Sequence, residues 1–363
     1  MFKMNKALFT LILICFFAHS SLFSQAPKYS NEFLKIGVGA RAMAMSNAFV
    51  ANTDDVTAGY WNPAGLMRME NEFQFSLMHA EYFAGIAAYD YAAFATKIDR
   101  QSTIGFSLLR FGVDNIPNTT QLIDQEGNFD FNRVSTFSAA DYAGLISYAR
   151  KSKIKGLNYG GNVKIIHRAV GDFARAWGFG FDAGVQYQEG DWTFGAMARD
   201  VTSTFNAWST NLDSETEKVF RATGNEIPGN SVEVTLPELV VGANRAVDIS
   251  DKVRMRTELD LKTTFDGKRN VLINSQPISI DPSLGVEADY EDLIYLRLGL
   301  GNIQFSTDID GNRSTSFQMT GGVGVKLKYV SIDYAFTDIG DQSIALYSNV
   351  FSLRIDLNEI RFR

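Results

Sequence analysis

From 254 to 262 every even-numbered residue is charged (Arg254, Arg256, Glu258, Asp260, Lys262), while the odd positions read Val253, Met255, Thr257, Leu259 and Leu261. A helix would scatter these charges around its axis. A strand, whose side chains point alternately to opposite faces, sorts them into one charged face and one largely apolar face. The same period recurs where Trp177, Phe179, Phe181, Ala183, Val185 and Tyr187 alternate with Gly178, Gly180, Asp182, Gly184 and Gln186. It recurs again with Leu157, Tyr159, Val163 and Ile165 against Asn158, Asn162, Lys164 and Arg168.

One such strand fits either a soluble sandwich, its charged face in bulk water, or a membrane barrel, its charged face lining a polar lumen and its apolar face against lipid. The whole array separates the two. Alternation and turn residues place fourteen strands near 72–80, 86–97, 102–111, 137–149, 157–168, 176–187, 192–201, 236–247, 252–263, 283–290, 293–302, 316–327, 329–337 and 345–357. Most are about 8 to 12 residues long, the length of a tilted strand crossing a thin apolar layer. Short connections (99–100, 188–191, 248–251, 291–292 and 328) interleave with long ones (112–136, 202–235, 264–282 and 303–315). Transmembrane barrels of the outer membrane have short periplasmic turns and longer outside loops. The expected fold is therefore all-β: a 14-stranded antiparallel transmembrane outer-membrane β-barrel, embedded in outer-membrane lipid with both chain ends periplasmic. Trp177, Tyr187, Trp192, Tyr329, Phe336 and Tyr347, near strand ends, suit aromatic girdles at the two interfaces.

The first residues are set aside from the fold. Lys3 and Lys6 precede an apolar run from Ala7 to Ala18, too short to span a bilayer as a helix, and Ser20, Ser21 and Ser24 lead to Gln25 and Ala26. This is the layout of a secretory signal peptide, with cleavage expected at about Ser24 or Gln25 and the signal assigned to 1–25. The single cysteine, Cys15, lies inside that run behind Ile14, where a lipoprotein signal needs a small residue. The exported chain then has no thiol for a disulfide, nucleophile or metal ligand. No linker divides the remainder, which is read as an N-terminal plug over 26–70 and a barrel over 71–363.

Several chemistries find no support. A formal charge of -7 with scattered basic residues lacks the clustered positive footprint of a nucleic-acid partner. Beyond the signal only His79 and His167 remain, each alone on an alternating strand, so neither metal spacing nor a base beside a nucleophile is present. The chain is read as non-enzymatic, with no metal and no cofactor. Gly37-Val38-Gly39-Ala40-Arg41-Ala42 has the outline of a dinucleotide fingerprint, but no buried strand precedes it and no βαβ unit follows. Asp308 to Asn312 lacks the later ligands of a calcium loop and reads as a hairpin turn.

Residues 33–70 break the strand pattern and are dominated by Gly, Ala and Met, which suits a compact plug. Asn52 to Asp55 offers a cap before a short helical stretch, and Asn62-Pro63-Ala64-Gly65 ends it. The runs Gly39-Ala40-Arg41-Ala42-Met43, Asn47-Ala48-Phe49-Val50-Ala51, Asp54-Asp55-Val56-Thr57-Ala58 and Tyr60-Trp61-Asn62-Pro63-Ala64-Gly65-Leu66 resemble the N-terminal hatch of FadL-type outer-membrane proteins. More narrowly, they resemble the PorV/PorQ family associated with type IX secretion. The likeness covers about forty residues, and Trp61 to Leu66 is its most diagnostic part. It picks out Gly37, Gly39, Ala40, Arg41, Asn47, Asp54, Asp55, Trp61, Asn62, Pro63, Ala64 and Gly65 as hatch residues. The terminal Phe362-Arg363 departs from the barrel convention of a final aromatic.

What the resemblance implies is an accessory barrel of the type IX protein secretion system, binding translocon proteins or exported cargo with a C-terminal sorting domain. Classical FadL relatives instead imply uptake of a hydrophobic small molecule, for which an apolar pocket near Met43, Met45 or Phe49 is the expected holding place. The charges at Arg254, Arg256, Glu258, Asp260 and Lys262 are expected to face the lumen and pair across strands rather than form a solute path. Phe205, Trp208 and Phe220, in the long segment 202–235, either dock a protein or fold over their own barrel.

Overall fold

The computed structural model describes residues 30–122, 128–307, 313–337 and 348–358. The expected signal peptide, the Asp308 to Asn312 turn, Tyr347 and the terminal Phe362-Arg363 lie outside these described residues. Among the described residues, seventeen strands form one sheet. The first nine are β1 (Phe73–Tyr82), β2 (Ala87–Lys97), β3 (Ser102–Asn118), β4 (Ser135–Lys151), β5 (Leu157–Val170), β6 (Ala174–Glu189), β7 (Trp192–Arg199), β8 (Thr204–Thr210) and β9 (Ser231–Thr235). Then come β10 (Glu238–Ser250), β11 (Val253–Thr264), β12 (Ile273–Asn274), β13 (Ser279–Tyr290), β14 (Ile294–Thr307), β15 (Arg313–Lys326), β16 (Val330–Thr337) and β17 (Ser348–Leu357).

Fourteen of them close an antiparallel barrel. Neighbours in sequence pair from β1 to β7; β7 then pairs with β10, β10 with β11, β11 with β13, and pairing continues to β17. The ring shuts between the first and last strands, with Leu77 opposite Leu353. Closure leaves the fourteen-strand ring no open edge, while β9, outside the ring, pairs with β8 alone among the described residues.

The remaining three strands correct the expectation of a long loop over 202–235. β8 extends β7 along the same partner, β6, and β9 precedes β10 on the far side of β8. Ala198 pairs with Ala183 and Phe205 with Phe179, so this strand carries three more residues than β6 over the stretch between. The excess bulges at 200–203, where Asp200 and Ser203 take φ of 52° and 60°. Phe205 and Trp208 are therefore wall residues: Phe205 points outward, and Trp208 donates to Glu233 at 2.9 Å. Phe220 sits on a helix, Ser214–Ala222, between β8 and β9. The short β12 pairs back onto β13.

Several strands outrun the expected lengths. β3 and β4 each have 17 residues, which shortens the connection expected over 112–136 to 119–134, while 83–86 and 171–173 are short connections on the same side. Length alternation is thus weaker than the sequence implied. The added residues, such as Asn115, Asn118 and Ser135, belong to hairpins whose two faces are similarly polar, so no period-two signal marks them.

Alternation along each strand sets the two surfaces. On β6, Trp177, Phe179, Phe181 and Val185 are exposed on the outer face, and Ala176, Asp182 and Gln186 are buried inside. Trp192, Tyr329 and Phe336 are also exposed on the outside, and Tyr187 is half-buried.

Residues 30–70 run through the interior as short helical turns, Glu32–Lys35, Ala40–Met43, Ala58–Trp61 and Pro63–Arg68. The wall makes room for them with inward glycines. A Cβ at Gly195 would sit 2.4 Å from the Val50 oxygen, one at Gly285 2.7 Å from the Met45 Cβ, and one at Gly184 2.1 Å from the Asn62 Oδ1. Gly184 on β6 and Gly195 on β7 thus mark where the inner segment touches the wall, whereas Gly178 and Gly180 face Asn206 and Thr204 of β8.

Candidate functional site

The middle of the inner segment is held by wall side chains through its backbone. The Oδ2 of Asp260 accepts the N–H groups of Phe49 at 2.9 Å and Val50 at 3.0 Å. Two positions away on β11, Glu258 accepts those of Ala51 at 2.7 Å and Asn52 at 2.8 Å. Four successive donors are met by two carboxylates on one strand face, as the i, i+2 spacing of a strand allows. The carbonyls are met from elsewhere. Gln186 Nε2 donates to Ala51 and Thr53, Asn62 Nδ2 to Val50, and Arg68 to Ala51. Residues 49–53 thus form a septum that satisfies its backbone mostly through side chains.

A second attachment is ionic. Arg41 forks onto Glu287 with two bonds of 2.9 Å and reaches Asp54 at 2.7 Å. Glu287 is completely buried and also receives Arg256 at 3.1 Å and Arg297 at 2.6 Å. Arg297 continues to Asp333 at 2.7 Å, and Arg354 meets Asp55 at 2.9 Å. Bidentate, charge-assisted bonds of this kind fix orientation as well as position. Burial pushes the Asp54 carboxyl up, but Arg41, Arg68 and Arg256 more than offset this and lower it to about 2. Burial works against the charge on Arg41, yet Asp54 and Glu287 hold its pKa well above the ordinary value.

The other residues picked out by the N-terminal resemblance have structural partners here. Gly37 and Gly39 take φ of 108° and 81°, a region favouring glycine. Ala40 N–H donates to Ser352, Asn47 to the Ile36 carbonyl, and Trp61 Nε1 to the Val38 carbonyl at 2.9 Å. Asn62 caps the Pro63–Arg68 turn by accepting from Ala64. Gly65 leaves no room for a side chain, since a Cβ would lie 2.5 Å from the Thr53 oxygen.

Of the five charges on β11, Arg256, Glu258 and Asp260 belong to these two attachments. Lys262 pairs with Asp281 at 3.0 Å, and Arg254 sits at the mouth, paired with Asp248 at 2.7 Å. Met45 and Phe49 are fully packed, whereas Met43 lines a cavity. His79 lies 2.7 Å from Asp90 on the outer face, and the His167 ring sits tilted, 4.3 Å from that of Trp177. Sequence reasoning missed Glu287, Gln186, Arg297 and Arg354. Each is an inward polar residue on an alternating strand; that period was the available signal, but register across strands was needed to bring them together.

The septum separates two cavities that share no lining residue. One, of 750 Å³, opens among the short turns and includes Asn52, Asp54, Lys155 and Asp191. The other, of 460 Å³, lies on the side of the longer loops and includes Met43, Val50, Trp61, Glu238 and Asp260. Val50 faces one and Asn52 the other.

No protein-family model matches the chain, and no curated protein matches it. Solved structures do. The chain is similar to the toluene transporter TbuX of Ralstonia pickettii, with 14% identity, 88% of this chain and 98% of that chain covered, and a TM-score of 0.52. It is similar to the toluene transporter TodX of P. putida, with 12% identity, 89% and 99% covered, and a TM-score of 0.54. A Pseudomonas aeruginosa FadL homologue matches with 12% identity, 88% and 98% covered, and a TM-score of 0.50. At these identities the likeness is one of fold.

Proposed function

We propose that the chain is an outer-membrane channel that takes a small, largely apolar compound from outside into the cavity above its inner segment. The observation that carries this reading is the 460 Å³ cavity above the septum, where Ile36, Met43, Val50, Trp61 and Val240 form an apolar patch within a lining that is otherwise polar or charged. A concave site that joins apolar side chains to convergent polar groups is the usual form of a small-molecule site. The fold neighbours support the reading, since two are named as toluene transporters. The outward apolar face and closed ring support placement in an outer membrane. The inner segment acts as a hatch that keeps the lumen shut between uptake events. Uptake of radiolabelled toluene by cells with and without the protein tests this: equal rates overturn it.

A second reading has its own support. The forty-residue N-terminal run resembles PorV/PorQ proteins, and a lumen crossed by buried ion pairs suits a barrel that works through its outer surface. On this reading the chain serves type IX secretion by binding translocon or cargo proteins. Pull-down from detergent-solubilised membranes, recovering translocon subunits or sorting-domain proteins, distinguishes it.

A further inference from the structure

The rim of short turns is divided by charge. The turns 97–101 and 150–156 carry Lys97, Arg100, Arg150, Lys151, Lys153 and Lys155 against one acid, Asp99, which caps its own turn by accepting the Gln101 N–H at 2.6 Å. The two turns are neighbours: β3 pairs with β4, and the Lys151 N–H donates to the Gln101 carbonyl at 2.9 Å. The next three turns around the ring, 189–191, 248–252 and 291–292, carry six acids and one lysine. That arc pairs charges of its own, Lys252 with Glu291 and Arg254 with Asp248, each at 2.7 Å. None of the six cations makes an ion pair among the described residues, and Lys97 donates to a backbone oxygen, that of Glu70, at 2.8 Å.

Like charges gathered without counter-charges repel one another, and an outside anion relieves that repulsion. The chain as a whole carries -7, so the attraction belongs to this arc and not to the molecule. Lys151, Ile154 and Lys155 line the 750 Å³ cavity, whereas Arg150 continues the outward row of Ile146 and Tyr148. An anionic lipid at the wall would meet the outward residue. The cavity side opens instead to the periplasm, where a polypeptide can reach it. Asp54, Asp248 and Glu70, elsewhere on the cavity lining, already face Arg41, Arg254 and Lys326. Ile154, 62% exposed between Lys153 and Lys155, offers an apolar contact at the centre of the basic turn. We infer that this arc docks an acidic segment of a periplasmic protein, its carboxylates on Lys151, Lys153 and Lys155 and an apolar side chain on Ile154.

This inference goes beyond the uptake reading, and its test is independent of toluene uptake. The full-length protein is placed in phosphatidylcholine nanodiscs, which leave both mouths open, and binding of a fluorescein-labelled Glu-Glu-Ile-Glu-Glu peptide is followed by anisotropy. A Lys-Lys-Ile-Lys-Lys peptide with the same label is the control. The acidic peptide should bind and the basic one should not. Lys153→Gln with Lys155→Gln should weaken binding about fivefold or more, whereas Lys252→Gln with Lys328→Gln, which removes the same charge elsewhere on the rim, should leave it unchanged. All four lysines are exposed, so both variants should keep the folded gel band. No binding of the acidic peptide, equal binding of the two peptides, or an equal loss in the two variants overturns the docking arc. Binding abolished by phosphatidylglycerol in the nanodisc overturns it in favour of a lipid headgroup.

Discussion

Arg41 and Glu287 are joined by two parallel bonds of 2.9 Å across 246 positions of sequence, tying the inner segment to β13. Because Arg256 and Arg297 share the same carboxylate, the two ends of this link are not equivalent. Glu287→Ala leaves three guanidinium groups in a buried site without their common partner, a loss on the order of 3–5 kcal/mol. Arg41→Ala leaves Glu287 two partners and should do less. The temperature at which the folded gel band converts to the unfolded one should fall further for Glu287→Ala; the reverse order would contradict the network.

The septum yields a prediction about permeability. Glu258→Ala with Asp260→Ala strips four backbone N–H groups of their acceptors and should let 49–53 leave the lumen. In planar bilayers the double variant should show a steady ohmic conductance that the unaltered protein lacks. Identical traces would mean that the strip is held by its carbonyl contacts alone.

Glycine positions separate fit from composition. Gly195→Ala places a methyl group against the Val50 carbonyl and should destabilise by about 1–3 kcal/mol, as overpacking does. Gly144→Ala meets nothing within 4 Å and should be silent. Heat modifiability of the two variants reads the difference, and equal behaviour would place the inner segment elsewhere.

Acid should loosen the inner segment. The Asp54 carboxyl is depressed to about 2 in the folded chain, below the ordinary carboxylate value of about 3.9. Its contribution is therefore fully present above pH 4 or so and disappears as the pH falls through about 2. Protease cleavage within 30–70 should rise over that window and stay flat from pH 5 to 8. Asp54→Asn should be susceptible already at neutral pH.

Much of the wall was legible in the sequence because one face meets an apolar medium. Trp177, Phe179 and Phe181 could not occupy inward positions against a filled lumen, and all fourteen strands of the ring overlap stretches read from alternation. The β7–β8 continuation was not legible: Thr204 to Thr210 alternates, but the extra residues at 200–203 shift its phase and read as the start of a loop. The site was legible only in part. The charges of β11 announced an inward polar face, whereas their partners Arg41, Ala51 and Glu287 are fixed by register and by the path of the inner segment, which no local pattern encodes.

The ring shuts between β1 and β17, the strands nearest the two ends of the described chain, around a segment that lies ahead of β1. Threading that segment through a finished cylinder would require stripping Asp260, Glu258 and Glu287 one after another. The expected order of assembly is that the inner segment lodges before the β1–β17 seam closes. The wall is in effect cast around its own filling, and a chain truncated before residue 70 should stall as an unsealed sheet, its row of inward acids still hydrated.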